Sequence, residues 1–378
     1  MNILFISEWY PHRGNAMTGL FVRKHAVAAA KYAVVNVLYV KAEKGIKHFE
    51  IIENDNENVH EIYVYYPSSK NKLKFFSAYK KGFQILKKNN FVPDIIHANI
   101  FAKAAIIAYL YGLCKKTPYV ITEHWSRYLS ENNTYKGFFK KIVTSFIARR
   151  ASAILPVSMV LEKAMKANGI NNNYYKVVHN VVDDFFFEAD THASASAEIS
   201  LPIILHVSCF DDKVKNISGI LQAAKILSRK RNDFKLVLIG TGIDFEKIKT
   251  RTTDKNVIFL GEKTPEEVSM WMKKCAFTVL FSNYETSAVV VSESLAAGRP
   301  VVATNTGGIP EKINSSNGIM IPPKDTKKLV NAMDEMLDKY SFYKSEQISK
   351  KAYEDYSFAT VGKQIFDIYK NVLNKSTL

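Results

Sequence analysis

Residues 277–311 read F-T-V-L-F-S-N-Y-E-T-S-A-V-V-V-S-E-S-L-A-A-G-R-P-V-V-A-T-N-T-G-G-I-P-E. Phe277 to Phe281 is an apolar run of strand length, and a polar loop carrying Glu285 follows it. A helix start rich in small residues comes next, then a Gly298-Arg299-Pro300 stop. Val301 to Thr304 is a second β-branched strand, closed by a Gly307-Gly308 turn. Strand, loop, helix and strand in that order make one unit of a parallel α/β sheet. In such sheets ligands bind beyond a strand's carboxyl end, where the next helix begins. The backbone N–H groups of Ser287, Ala288 and Val289 stand at that helix start and suit phosphate oxygens. Glu285 and Glu293 flank them, one at the mouth and one two turns in, placed to accept hydrogen bonds from hydroxyls.

The same alternation runs through most of the chain. In the N-terminal half, strands are expected at residues 2–7, Val34 to Val40, Pro93 to His97, Tyr119 to His124, Ala153 to Val157 and Lys176 to His179, with a helix from Leu20 to Lys31. From Asp183 to Ser200 the pattern dissolves, and Ala/Ser alternation there reads as a linker. It restarts with strands at Ile203 to Val207, Lys235 to Ile239 and Val257 to Leu260. Helices are expected at Ile217 to Ser228 and Thr326 to Asp338, and amphipathic helices close the chain from Phe342. This predicts two doubly wound Rossmann-like domains, 1–183 and 202–359, joined by a linker at 184–201.

Composition agrees with a globular protein: 47% apolar and 23% charged residues over a length that calls for two domains. The three cysteines share no metal-ligand spacing, which argues for a reducing compartment. The N-terminus runs straight into a strand, and no apolar run nears bilayer length, so a cytoplasmic protein is expected. The net charge is +16, concentrated in residues 1–190, and implies an anionic partner or simply solubility.

The run from Glu285 resembles the signature of retaining glycosyltransferases of family 4, which have the GT-B fold. That signature is Glu-x7-Glu followed by A-x-G-x-P-V-V-A-T-x-x-G-G-x-x-E; the family usually has Phe-Gly where this chain has Ser287-Ala288. The resemblance implies two domains facing across a cleft, with a last helix, about 360–378, returning to the first domain. It also implies transfer of a hexose-type sugar from a nucleoside diphosphate sugar to a saccharide acceptor. In K-N-I-S-G-I-L-Q-A it identifies Lys215 as a contact to the departing diphosphate, the alternative being a solvated loop lysine. The Arg that usually precedes this Lys is absent, Cys209 occupying its stretch, which leaves the second cation missing or supplied by Lys213. Gly240 and Gly242 form a turn near the nucleotide, and Gly261 falls in the segment whose backbone reads the base. His124 matches a family histidine beside the reacting sugar, with Glu123 as the group that orients it; His97 is a weaker candidate. Thr18 and Gly19 close the first β–α loop, where a glycine lets backbone approach phosphate.

The chemistry expected of these residues is stabilisation of diphosphate charge by fixed cations and helix-start amides. No Asp-x-Asp and no His/Cys cluster is present, so neither metal nor cofactor is expected. Lys72 to Lys88 and Thr134 to Arg150 are basic, aromatic and amphipathic. They suit an anionic membrane surface and a lipid-linked acceptor, or else pack as ordinary core helices. The rival functions are a GT-B nucleotide-sugar epimerase and a basic nucleic-acid-binding protein. The A-x-G-x-P run argues against the first, and the lack of any recognised module against the second.

Overall fold

Ile3 to Ile6 are wholly excluded from solvent, as an unbroken apolar run must be when both faces of its sheet are covered. The computed structural model describes residues 1–69, 73–132, 134–188 and 201–376. They form two units: Met1–Val181 with the helix that begins at Phe358, and Val182–Ser357.

The first unit holds seven strands: β1 (Asn2–Ser7), β2 (Val34–Glu43), β3 (Glu50–Asn56), β4 (Val59–Pro67), β5 (Ile95–Asn99), β6 (Tyr119–Glu123) and β7 (Ala153–Pro156). Their order is β3-β4-β2-β1-β5-β6-β7. All pairs are parallel except β3 with β4, an antiparallel edge that the sequence reading omitted. Lys176 to His179 forms no strand. It runs beside β7 through hydrogen bonds from Lys176 N to Ile154 O and from Val178 N to Pro156 O, too sparse for a ladder. The helices are α1 (Leu20–Ala30), α2 (Leu73–Lys88), α3 (Lys103–Lys115), α4 (Phe138–Arg150) and α5 (Met159–Ala167). Helix α4 begins at Phe138, not Thr134, because Gly137 at φ 106° breaks the chain's entry into it.

The second unit holds β8 (Ile203–Val207), β9 (Lys235–Ile239), β10 (Val257–Gly261), β11 (Phe277–Leu280), β12 (Val301–Thr304) and β13 (Gly318–Ile321). They form one parallel sheet in the order β10-β9-β8-β11-β12-β13. Its helices are α6 (Asp212–Lys215), α7 (Ile217–Leu227), α8 (Phe245–Arg251), α9 (Pro265–Lys274), α10 (Val289–Ala296), α11 (Thr326–Lys339) and α12 (Ser345–Tyr356). Of the segment 184–201 read as a linker, residues 189–200 lie outside the described residues. Residues 184–187 are anchored: Phe186 is buried, and the Phe185 carbonyl accepts from Ser269 Oγ (3.1 Å) and Lys273 Nζ (2.7 Å).

The last helix, α13 (Phe358–Ser376), buries Val361, Ile365, Ile368, Tyr369 and Val372 in the first unit's core, with Val22, Ala26 and Ala29 of α1. The Tyr369 hydroxyl also pairs with His97 Nδ1 at 2.6 Å. Among the described residues no helix is long and apolar enough to cross a membrane.

Candidate functional site

In the second sheet β8 lies between β9 and β11. The chain winds outward from β8 through β9 and β10, then returns to β11 on the other side. The crevice between the carboxyl ends of β8 and β11 is therefore the switch point where doubly wound sheets bind ligands. The loops leaving these two strands carry Lys215 and Glu285. They are joined by hydrogen bonds from Asn283 N to Val214 O (2.8 Å) and from Asn283 Nδ2 to Lys213 O (2.9 Å). Lys215 Nζ lies 2.6 Å from Glu285 Oε1, and the same oxygen accepts from Ser282 Oγ at 2.8 Å. Burial opposes the ammonium of Lys215, but the Glu285 carboxylate outweighs it and holds the amine above its usual range. Lys215 is thus no solvated loop residue. Lys213 beside it is exposed and engages through its backbone carbonyl.

The corner is fixed from behind by the G-G turn. A Cβ on Gly307, which sits at φ 54°, would fall 1.7 Å from the Glu285 carbonyl oxygen, so only glycine lets the two backbones meet. Thr304 Oγ1 donates to Ser282 O (2.8 Å) and pins the same loop. On the other side Gly240 packs on the segment leading to Lys215, where a Cβ would meet Ser208 O at 1.9 Å. Phe210 N donates to Thr241 O, and Gly240 N to Gly261 O, so the Gly240–Gly242 turn is tied to Gly261 and to the segment that leads to Lys215.

Helix α10 begins at Val289, the last of the three residues expected at its start. Ala288 is its N-cap, in the left-handed conformation at φ 46°, ψ 67°. Ser287 and Ala288 are buried at the bend, Val289 opens the helix, and Glu293 stands half-buried in its second turn. A residue missed by sequence reasoning lies beneath the bend. Lys312 is buried, with Nζ 2.6 Å from Ser292 Oγ and 3.4 Å from Ser287 Oγ. Following G-G-I-P-E, it carried no sign of burial except the apolar Ile309 and Ile313 on either side.

The first sheet reverses order between β1 and β5. His124 follows β6, with its ring against Phe21 (4.5 Å) and His25 (5.3 Å). Burial, reinforced by His25 and His97, pushes its pKa well below the ordinary value, so the imidazole is neutral. Glu123 does not orient that ring. Its Oε1 accepts from the backbone N–H of His124 and Trp125, and its Oε2 from Phe101 N, so it fixes the loop backbone instead. His97 is held between Tyr369 Oη and Thr122 Oγ1, both at 2.6 Å, which makes it a core residue. Thr18 N donates to Asn15 Oδ1, and Gly19 caps α1 directly against the Trp9 carbonyl.

A cavity of about 520 Å³ opens at this switch point, lined by Trp9, Lys103, Trp125, Arg127, Phe139 and Lys140 among others. Trp9 and Trp125 lie 5.1 Å apart. The buried Arg127 guanidinium sits over Trp125 and Tyr128 and donates to the Phe101 carbonyl and the Tyr128 hydroxyl. Phe139 and Lys140 fall in the basic, aromatic segment read from sequence, but Trp9, Trp125 and Arg127 were missed as site residues; W-S-R-Y at 125–128 was the signal for the last two.

A family model described as Glycosyltransferase Family 4 matches residues 28–184, and one described as Glycosyl transferases group 1 matches residues 191–355. The chain is similar to alpha-D-kanosaminyltransferase of Streptomyces kanamyceticus, 28% identical over 300 residues, spanning 73% of this chain and 76% of that one. Among solved structures it is similar to Anabaena HepE in complex with UDP, with a TM-score of 0.76 at 18% identity over 98% of this chain and 100% of that one. The lipopolysaccharide outer core galactosyltransferase WaaB is similar too, with a TM-score of 0.67 at 18% identity over 99% of both chains. These structural likenesses bear on the fold.

Proposed function

The chain belongs to the family 4 glycosyltransferases of GT-B fold, and from that premise we propose that it moves a hexose-type sugar from a nucleoside diphosphate onto a saccharide acceptor, retaining anomeric configuration and using no metal. The observation that carries this is the Lys215–Glu285 corner at the second sheet's switch point, beside the start of α10. Departure of the diphosphate builds negative charge, and a charged Lys215 with helix-start amides meets it where it forms. Glu285 accepts hydrogen bonds from sugar hydroxyls, its second oxygen not engaged by Lys215 or Ser282. Neutral His124 is assigned to a hydroxyl of the reacting sugar. In front-face attack the diphosphate oxygen itself takes the acceptor's proton, so no separate base is needed. HepE, bound to UDP, supports a nucleotide donor.

The acceptor is assigned to the first unit's cavity, where Trp9 and Trp125 offer flat faces for a sugar ring. At the start of α4, Phe138 and Phe139 are 74% and 81% exposed, followed by Lys140 and Lys141. Such a surface suits an anionic membrane and a lipid-linked acceptor, in cell-surface polysaccharide assembly, the setting that the name of WaaB also suggests. Thermal-shift screening against UDP-, GDP- and ADP-sugars tests the donor assignment: one class should raise the melting temperature, and no response to any would contradict it.

A further inference from the structure

The diphosphate subsite as described has one cation at its surface, Lys215. A second lies behind it. Lys312 follows the 3-10 turn Ile309–Glu311, and its side chain runs inward beneath the Ala288 bend. Its Nζ lies 2.6 Å from Ser292 Oγ, 3.4 Å from Ser287 Oγ and 3.5 Å from the Ala288 carbonyl, and 5.1 Å from the centre of the Tyr356 ring. Those three oxygens belong to the residue before the cap, the cap itself and the first turn of α10, whose amides the proposed function assigns to the diphosphate. Ala288 holds φ 46°, where a residue with a Cβ is strained and a neighbouring group must stabilise the bend.

We infer that Lys312 is a positioning residue for the diphosphate subsite, its buried ammonium fixing the left-handed Ala288 bend through Ser287 and Ser292 and adding positive charge behind the α10 amides. The inference rests on the donor assignment above.

The charged groups facing this amine are Glu311 on its own turn, Glu285 on the loop after β11 and Glu293 on α10; Tyr356 of α12 presents its ring. Burial outweighs the three carboxylates and lowers the amine from its ordinary 10.5 to about 8. Free enzyme is therefore near half-charged at pH 8. A bound diphosphate adds negative charge nearby and favours the ammonium, so binding at that pH draws in a proton. The linkage to folding has the opposite sense. Between pH 8 and 10.5 the unfolded chain keeps a proton that the folded chain has lost, so stability rises with pH across that window as diphosphate affinity falls.

The test is calorimetry of UDP, GDP and ADP binding to the full chain at pH 8, in two buffers of different ionisation enthalpy. With the diphosphate that binds, wild type should take up about half a proton. Lys312→Met, which keeps the buried stem, should lose that uptake and bind about 10- to 100-fold more weakly. Ser292→Ala keeps the amine but loses its shortest contact, and should keep the uptake while binding several-fold more weakly. Failure of wild type to bind any of the three overturns the donor assignment and this inference with it. Wild-type binding matched by Lys312→Met in affinity and proton uptake overturns the inference alone. If Lys312→Met does not fold, wild type without uptake, or Ser292→Ala with unchanged affinity, does the same.

Discussion

The two switch points of this molecule are built in opposite ways. At the second, the charged groups are paired and locked: Lys215 on Glu285, Glu285 on Ser282, Ser282 on Thr304, with Gly307 pressed against the backbone. At the first, the cations stand among aromatic rings, and the apolar start of α4 is open to solvent. A locked polar corner suits one rigid, charged ligand, whose transition state gains from donors already in place. An aromatic and basic rim suits acceptors recognised by stacking and by charge. The difference is what the proposed assignment of donor to the second unit and acceptor to the first rests on.

Four experiments sharpen or break that contrast. Glu285→Gln keeps the shape of the locked corner but weakens its hold on sugar hydroxyls, and should lower kcat/KM by about 10² to 10³, or roughly 3–4 kcal/mol. Turnover at the wild-type rate would remove Glu285 from donor recognition. Reversing the open rim with Lys140→Glu and Lys141→Glu should lower co-sedimentation with anionic vesicles by about tenfold or more, since each lysine near such a surface contributes about 1 kcal/mol. Binding to soluble nucleotide sugar should not change. Equal retention by neutral lipid, or no salt release as the Debye length falls to roughly 3 Å at 1 M, would make α4 an ordinary packing helix.

A smaller effect is expected at the cap of α10. Ala288→Gly relieves a left-handed alanine but loosens the unfolded chain, so chemical denaturation should show a gain of no more than about 1 kcal/mol. A loss of that size would mean the bend is unstrained. The least change is expected from chelation: dialysis against EDTA should leave turnover intact if Lys215 and the amides carry the diphosphate charge, and a strict need for Mg2+ or Mn2+ would replace that mechanism.

Strands β8 to β12 of the second sheet were legible because each is a short apolar run between turn residues, and the Glu285 stretch because its order of strand, loop, helix and strand is unambiguous. Strand β3 was not, because Glu50–Asn56 is exposed at nearly every position and shows no alternation. Strand β13 was not either, because Gly318 opens it and Pro322-Pro323 follow at once, which reads as a turn. At the candidate site, sequence marked the residues that loops deliver but not how side chains pair. A glutamate before a histidine read as its orienting partner, whereas Glu123 serves backbone amides. Lys215 read as a diphosphate contact, but nothing local showed its clamp on Glu285, and nothing marked Lys312 as buried. Pairing across some 70 residues of chain depends on the sheet bringing two loops together, and no local pattern records it.

The most direct test of the account is kcat/KM for the accepted nucleotide sugar, measured with melting temperature, in wild type and Lys215→Met. Because Glu285 loses its partner, a modest fall in melting temperature is expected, about 1–3 kcal/mol of stability. The account predicts a folded variant whose kcat/KM falls by about 10² or more. A folded variant that turns over donor at the wild-type rate would show that the departing diphosphate is met elsewhere, and would contradict it.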